Sequence, residues 1–100
     1  VSGEVRVLVY QSAQDISLVH DAYHHVSKRL MGVPGLVGNE LLGSITDPTG
    51  FVVLSRWSGM DAFREWEQGP AHRDTTAPLR PYRDQRLPAS FGVYQVVADY

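Results

Sequence analysis

Leu36-Val-Gly-Asn-Glu-Leu-Leu-Gly-Ser-Ile45, Asp47-Pro-Thr-Gly50 and Phe51-Val-Val-Leu-Ser-Arg-Trp57 follow one another along the chain, and their reading decides the fold. Residues 36–45 and 51–57 are rich in apolar and β-branched side chains and show no helical period. Asp47-Pro48-Thr49-Gly50 between them is a turn signal. The stretch therefore predicts a β-hairpin, and each side of it can be read outward.

On the N-terminal side, Gly32, Pro34 and Gly35 stop a helix predicted over about 13–31. Ile16, Val19, Tyr23, Val26 and Leu30 recur at spacings of three and four and form its apolar stripe. Ser12 and Asp15 have the spacing of a capping box, with Ser12 as N-cap. Before that helix, Glu4-Val-Arg-Val-Leu-Val-Tyr-Gln11 reads as a first strand. On the C-terminal side, Ser58-Gly59-Met60-Asp61 repeats the capping spacing ahead of a helix over 61–68, closed by Gly69. Pro70 then opens a second short helix through about Leu79. Residues 80–90 are rich in Arg and Pro and read as irregular. Residues 90–98 form a last strand, with Phe91, Val93 and Val97 on one face and Tyr94 and Val96 on the other.

The resulting order, βαββαβ, predicts a single α+β domain over residues 1–100. It is ferredoxin-like, a four-stranded antiparallel sheet with the helices on one face. The first strand is apolar on both sides: Val5, Val7 and Val9 on one, Leu8 and Tyr10 on the other. It wants cover on both sides. The face opposite the helices would carry Leu8, Tyr10, Val52, Leu54, Tyr94 and Val96. An apolar patch of that extent is not left in water. Face-to-face packing of two sheets in a homodimer, a dimeric α/β barrel, is the simplest cover; packing of the 80–90 segment over part of the face is the other.

Composition narrows the function. The 100 residues carry a net charge of −2, 43% hydrophobic and 20% charged residues, and no cysteine. There is no basic field for nucleic acid, no thiolate chemistry or disulfide framework, and no apolar run long enough for a membrane span. Val1-Ser2-Gly3-Glu4 has neither the basic nor the apolar part of a signal peptide, so a cytoplasmic location is expected. Eight arginines stand against a single lysine, Lys28.

Four histidines are candidates for chemistry. His20 and His24 are four apart on the first helix, a metal-compatible spacing. They lack a following Glu in the His-Glu-x-x-His manner and a cysteine, and with His25 they read as a solvated edge; no metal site is expected. His72 stands alone after the Gly69-Pro70 break, in the first turn of the second short helix. There the helix dipole favours the neutral, proton-accepting imidazole. Capping the break is its alternative role. Arg73, Arg80, Arg83 and Arg86 cluster around the irregular segment. They read either as a soluble surface paired with Asp74 and Asp84 or as a positive pocket mouth for a phenolate, carboxylate or phosphate. Trp57 and Trp66 read as core and as faces for a flat aromatic ligand, two compatible roles.

Trp57, Phe63, Trp66 and the run Ala71-His72-Arg73, following a strand that ends in Trp, resemble the antibiotic biosynthesis monooxygenase domain. Val33-Pro34-Gly35-Leu36 ahead of the second strand and the βαββαβ order fit it too. The resemblance covers roughly residues 4–98 and implies the dimeric α/β-barrel superfamily. In the quinone-forming, cofactor-free branch, an Asn and a Trp sit four apart on the third strand, with a Tyr on the next helix and an Arg beyond. Trp57 matches that Trp; Val53 stands at the Asn, Phe63 at the Tyr, and the Arg position falls near Thr76 or Ala77. In the haem-degrading branch, Trp66 matches the helix Trp, Thr76 stands at the His ten residues on, and strand one has no Asn.

The resemblance implies a cofactor-independent monooxygenase that oxidises a polycyclic phenol or anthrone-type aromatic to a quinone, as in aromatic polyketide tailoring. The expected catalytic residues are His72 as base, Arg73 holding developing negative charge, and Trp57. Trp66, Phe63, Tyr23, His24 and Val53 are expected to contact a small aromatic substrate. A non-catalytic small-molecule-binding dimer is the alternative, and a haem-binding or haem-degrading role the third.

Overall fold

A computed structural model describes residues 3–100. The elements run β1 (Val5–Ser12), α1 (Ile16–Leu30), β2 (Leu36–Gly43), β3 (Gly50–Trp57), α2 (Met60–Gln68), α3 (His72–Thr76), a 3₁₀ helix (Ala77–Tyr82) and β4 (Phe91–Gln95). The strands form one sheet in the order β2-β3-β1-β4, every pair antiparallel. This is the predicted ferredoxin-like α+β fold.

Register shows which side chains share a face, because residues directly opposite in an antiparallel pair point the same way. Val5 lies opposite Trp57, Val7 opposite Ser55, Val9 opposite Val53 and Gln11 opposite Phe51. These eight residues face the helices. Val5, Val7, Trp57 and Phe63 make the buried core, with Trp66, Leu36, Val33 and Met60 packed around it. The Trp57 and Phe63 rings meet edge-on with centroids 5.5 Å apart, a favoured aromatic geometry.

Several boundaries differ from expectation. Ser12 is the last residue of β1, paired with Gly50, and does not cap α1. Asp15 is the N-cap: its carboxylate accepts from the Ser17 backbone N–H at 3.0 Å and from the Ser17 hydroxyl at 2.7 Å. The ladder with β3 holds Ser12 extended, so the helix starts three residues later than the capping spacing predicts. Ile16 is then 51% exposed and leaves the stripe, which buries Val19 and Val26. The second capping box does not form either. The Ser58 backbone N–H donates to Gly35 O at 2.8 Å, and Gly59 is the N-cap without a side-chain bond. β2 ends at Gly43, because residues 44–49 are used in the turn organised by Asp47, which accepts from the Thr49 N–H and hydroxyl. The helix predicted from Pro70 to Leu79 breaks after Thr76. Pro78 and Pro81 lack backbone N–H donors, and the chain tightens into a 3₁₀ turn there.

The predicted irregular segment starts only after that turn. Its Arg83 forms a bridge with Gln11, the Asp84 N–H donates to Tyr10 O at 3.0 Å, and the Tyr10 N–H donates to Ser90 O at 2.7 Å. It extends the sheet edge at the end of β1. β4 is shorter than the predicted 90–98; past Gln95 the Val96 N–H bond to Glu4 O at 2.8 Å continues the pairing. Opposite the helices, Leu8, Tyr10, Val52 and Leu54 are half-buried, while Leu42 and Tyr94 are exposed. Among the described residues, no helix is long and apolar enough to cross a membrane.

Candidate functional site

A cavity of about 120 Å³ lies between the sheet and the helices. Period-two alternation builds its floor from Val7 and Val9 on β1 and Val53, Ser55 and Trp57 on β3. Tyr23, Val26, Ser27 and Leu30 of α1 form one wall, and Phe63, Trp66, His72 and Thr76 of α2 and α3 the other. Leu79, Arg80 and Arg83 close it from the 3₁₀ side.

The aromatic side is anchored by its own hydrogen bond. Trp57 Nε1 donates to Ser55 Oγ at 3.0 Å, so the indole is satisfied without a ligand. The α1 wall is tied to β2 by Asn39. Tyr23 Oη donates to its backbone carbonyl at 3.2 Å, and Ser27 Oγ donates to Asn39 Oδ1 at 3.0 Å. Gln11, 1% exposed, stands at the far end of the floor. Its amide nitrogen, turned toward the 3₁₀ helix, donates to Leu79 O and Tyr82 O, both at 3.1 Å. A buried amide satisfied in this way fixes the position of the roof over the sheet.

His72 is the first residue of α3, half-buried, with its ring edge-on to Trp66. Burial pushes its imidazole below the ordinary value of 6.5, and the positive charge of Arg80 adds to this, as do Arg83 and Arg73; Glu67 works against them. These influences favour the free base of His72. The cause is desolvation and neighbouring guanidiniums rather than the dipole of a helix only five residues long. Below the ring, Arg80 Nη2 donates to Thr76 Oγ1 at 3.1 Å, and Thr76 Oγ1 donates to His72 O at 2.9 Å.

The structure brings six of the sequence-predicted residues to the cavity: Trp57, Phe63, Trp66, His72, Tyr23 and Val53. It does not bring the other two. Arg73 is exposed and absent from the lining, because the next residue along α3 from His72 points away from the cavity. His24 is exposed, its ring edge-on to Tyr23 at 5.3 Å. His20 and His25 are exposed as well, and among the described residues no three His, Asp or Glu side chains converge as a metal site would need. Sequence reading missed Asn39, Ser27, Ser55 and Gln11 as lining residues; of the four arginines it offered as a pocket mouth, Arg80 and Arg83 line the cavity and Arg73 and Arg86 do not. Ser55 was legible from alternation, two residues from both Val53 and Trp57. Asn39 was hidden by a register shift between Leu36 and Gly38.

Most of the cavity lining, though not Val7, Leu79, Arg80 and Arg83, lies in the segment that comparison with known proteins singles out. The family model of antibiotic biosynthesis monooxygenase matches residues 9–78. The chain is 34% identical over 82 residues to Protein SchA of Streptomyces halstedii, covering 80% of this chain and 22% of that protein. It is 36% identical over 59 residues to a 42.8 kDa protein in the whiE locus of Streptomyces coelicolor, covering 59% of this chain and 15% of that one. The chain thus spans about a fifth or less of the length of these curated relatives. Among solved structures, a point mutant of SnoaB, a cofactor-independent oxygenase from Streptomyces nogalater, superposes with a TM-score of 0.80 at 17% identity, covering 97% of this chain and 96% of that one. A haem-degrading protein from Mycobacterium tuberculosis superposes with a TM-score of 0.71 at 20% identity, covering 97% and 98%. At these identities the superpositions speak for the fold; the family match, over 9–78, speaks for descent, and the chain belongs to the antibiotic biosynthesis monooxygenase family.

Proposed function

We propose that this domain oxidises a phenolic or anthrone-type aromatic to a quinone with molecular oxygen and no cofactor, working as a homodimer. The observation that carries the reading is His72, its imidazole pushed toward the free base by burial, in the wall of an aromatic and apolar cavity whose described lining residues include guanidiniums and no carboxylate.

Ground-state oxygen is a triplet and reacts slowly with closed-shell molecules, whereas an electron-rich phenolate can give it one electron. The protein's task is then to make the phenolate and keep it dry. His72 accepts the phenol proton. Arg80 and Arg83, which line the cavity where Arg73 does not, give it a positive potential that favours an anionic ligand over a neutral one. The aryloxyl radical and superoxide recombine at a ring carbon to a peroxide anion, which takes the proton back from His72 and then loses water. For anthrone the balance is one anthrone and one O₂ giving one anthraquinone and one water.

Trp57, Phe63 and Trp66 supply the ring faces. A cavity of 120 Å³ admits about one aromatic ring, since cavities of roughly 150 Å³ take up benzene. The reacting ring of a polycycle therefore sits inside beside His72, and the remaining rings extend past Arg83 at the exposed rim. The SnoaB comparison, a cofactor-independent oxygenase of the same fold, supports the reading. Incubating the purified protein with anthrone or 1,5-dihydroxynaphthalene in air tests it: quinone absorbance should rise above the protein-free rate. Tight binding of either compound with no such rise favours the non-catalytic binder. Val53 and Phe63 support that second reading, because they give the floor and wall no polar contact to the ring where the quinone-forming branch has Asn and Tyr.

A further inference from the structure

Arg86 consumes both acidic groups of its neighbourhood. Its guanidinium meets Asp84 Oδ2 and Asp47 Oδ2, each at 2.8 Å. Asp74 is taken by Arg29 at 2.9 Å. Arg80 and Arg83 are left over: among the described residues neither is in an ion pair, although both line the same cavity. Arg80 is more constrained still. Its Nη2 is committed to Thr76 Oγ1, while its Nε is buried with no partner. A buried guanidinium N–H without an acceptor is costly, and two unpaired guanidiniums side by side repel. Burial and the charges of Arg83 and Arg73 push the Arg80 guanidinium down from its usual value, in keeping with a site short of negative charge.

Position gives the missing group a chemistry. Arg83 bridges to Gln11 at one end of the β1 floor, while Trp57 lies opposite Val5 at the other. An anion on the arginines therefore belongs to the end of a ligand remote from Trp57. We propose that Arg80 and Arg83 form an anion subsite that selects aromatic substrates carrying a carboxylate separate from the reacting phenol. The proposal rests on the aromatic-pocket reading above and adds a substrate class to it. A carboxylate accepts from guanidinium N–H groups in pairs and offers the acceptor that Arg80 Nε lacks.

The probes are 6-hydroxy-2-naphthoate and its methyl ester, which share a ring system and differ by one charge at pH 7. Calorimetric titration of the wild type should find the acid bound about tenfold or more tightly than the ester, the order expected of a charge-assisted pair. Arg83→Gln, at an exposed position, should remove most of that preference by weakening the acid about tenfold more than the ester. Arg80→Gln should act the same way, with its melting curve checked because Thr76 loses a donor. Equal affinity of the wild type for acid and ester overturns the subsite and leaves the aromatic pocket standing. An Arg83→Gln variant that weakens both probes equally overturns it as well. If neither probe binds, the subsite and the pocket reading fall together.

Discussion

The Trp66 and His72 rings stand edge to face, centroids 5.6 Å apart and planes at 87°. The contact joins α2 to α3 across the Gly69-Pro70 break and removes one side of the imidazole from water. The same packing that positions His72 favours its neutral form, so an imidazole and a flat hydrophobic surface form one unit in the cavity wall.

His72→Ala should lower quinone formation by about 10²–10⁴-fold, the usual share of a general base. The deficit should narrow as pH rises past the phenol's own pKa, because the substrate then arrives already ionised. Steady-state rates from pH 6 to pH 10 on wild type and variant check this. A deficit that stays constant across the range would assign His72 a structural role.

Acid should destabilise the protein through the same residue. The folded value of His72 lies below the ordinary 6.5 of an unfolded imidazole, with burial the leading cause and Arg80, Arg83 and Arg73 assisting against Glu67. Between the two values the unfolded chain binds the proton and the folded chain does not. The stability due to neutral His72 is therefore fully present above about 6.5 and is lost as pH falls through the folded value. Asp15, Asp47 and Asp84, all held below the usual 3.8 by hydrogen bonds, act in a lower window. Urea midpoints should fall between pH 7.5 and pH 5 in the wild type and fall less in His72→Leu. Parallel curves for the two proteins would exclude this account.

Leu54 lies opposite Leu8 on the sheet face away from the helices. If that face is covered by a second copy, Leu54→Asp places an unpaired charge in the interface and should convert dimer to monomer. Sedimentation at micromolar concentration reads the mass directly. A wild type already monomeric at that concentration contradicts the homodimer.

Phe63→Ala removes a buried ring that touches Trp57 and faces the cavity. A core Phe-to-Ala change costs about 3–5 kcal/mol, a large part of the roughly 5–15 kcal/mol that holds a domain folded. Chemical denaturation should show a loss of this order. Gly35→Ala should also destabilise, for a different reason: φ there is +83° and the added Cβ would run into Ala62 Cβ.

How far the chain could be read ahead of its structure follows from where its signals are local. The hairpin and the flanking stripes are local patterns, and they led to the element order and to the faces of β1 and β3. Val53 and Phe63 were expected at the cavity from the family resemblance, and the period-two alternation of β3 accounts for Val53 sharing a face with Trp57. What escaped was set by distant partners. Ser12 carries a capping residue's chemistry, yet Gly50 across the sheet holds it in the strand. Gln11 reads as a polar strand end, and only the 3₁₀ roof shows why an amide is buried there. Arg73 and Arg80 look equivalent in a run of arginines; the break after Thr76 turns one to solvent and the other to the cavity.

The most direct measurement is oxygen labelling of anthrone turnover under ¹⁸O₂, with protein freed of metal by chelator and shown spectroscopically to carry no flavin. The account predicts one O₂ consumed per anthraquinone formed, one labelled oxygen in the product and one in water, and a rate that depends on His72. Product oxygen drawn from water, or no O₂ uptake above the protein-free rate, would contradict it.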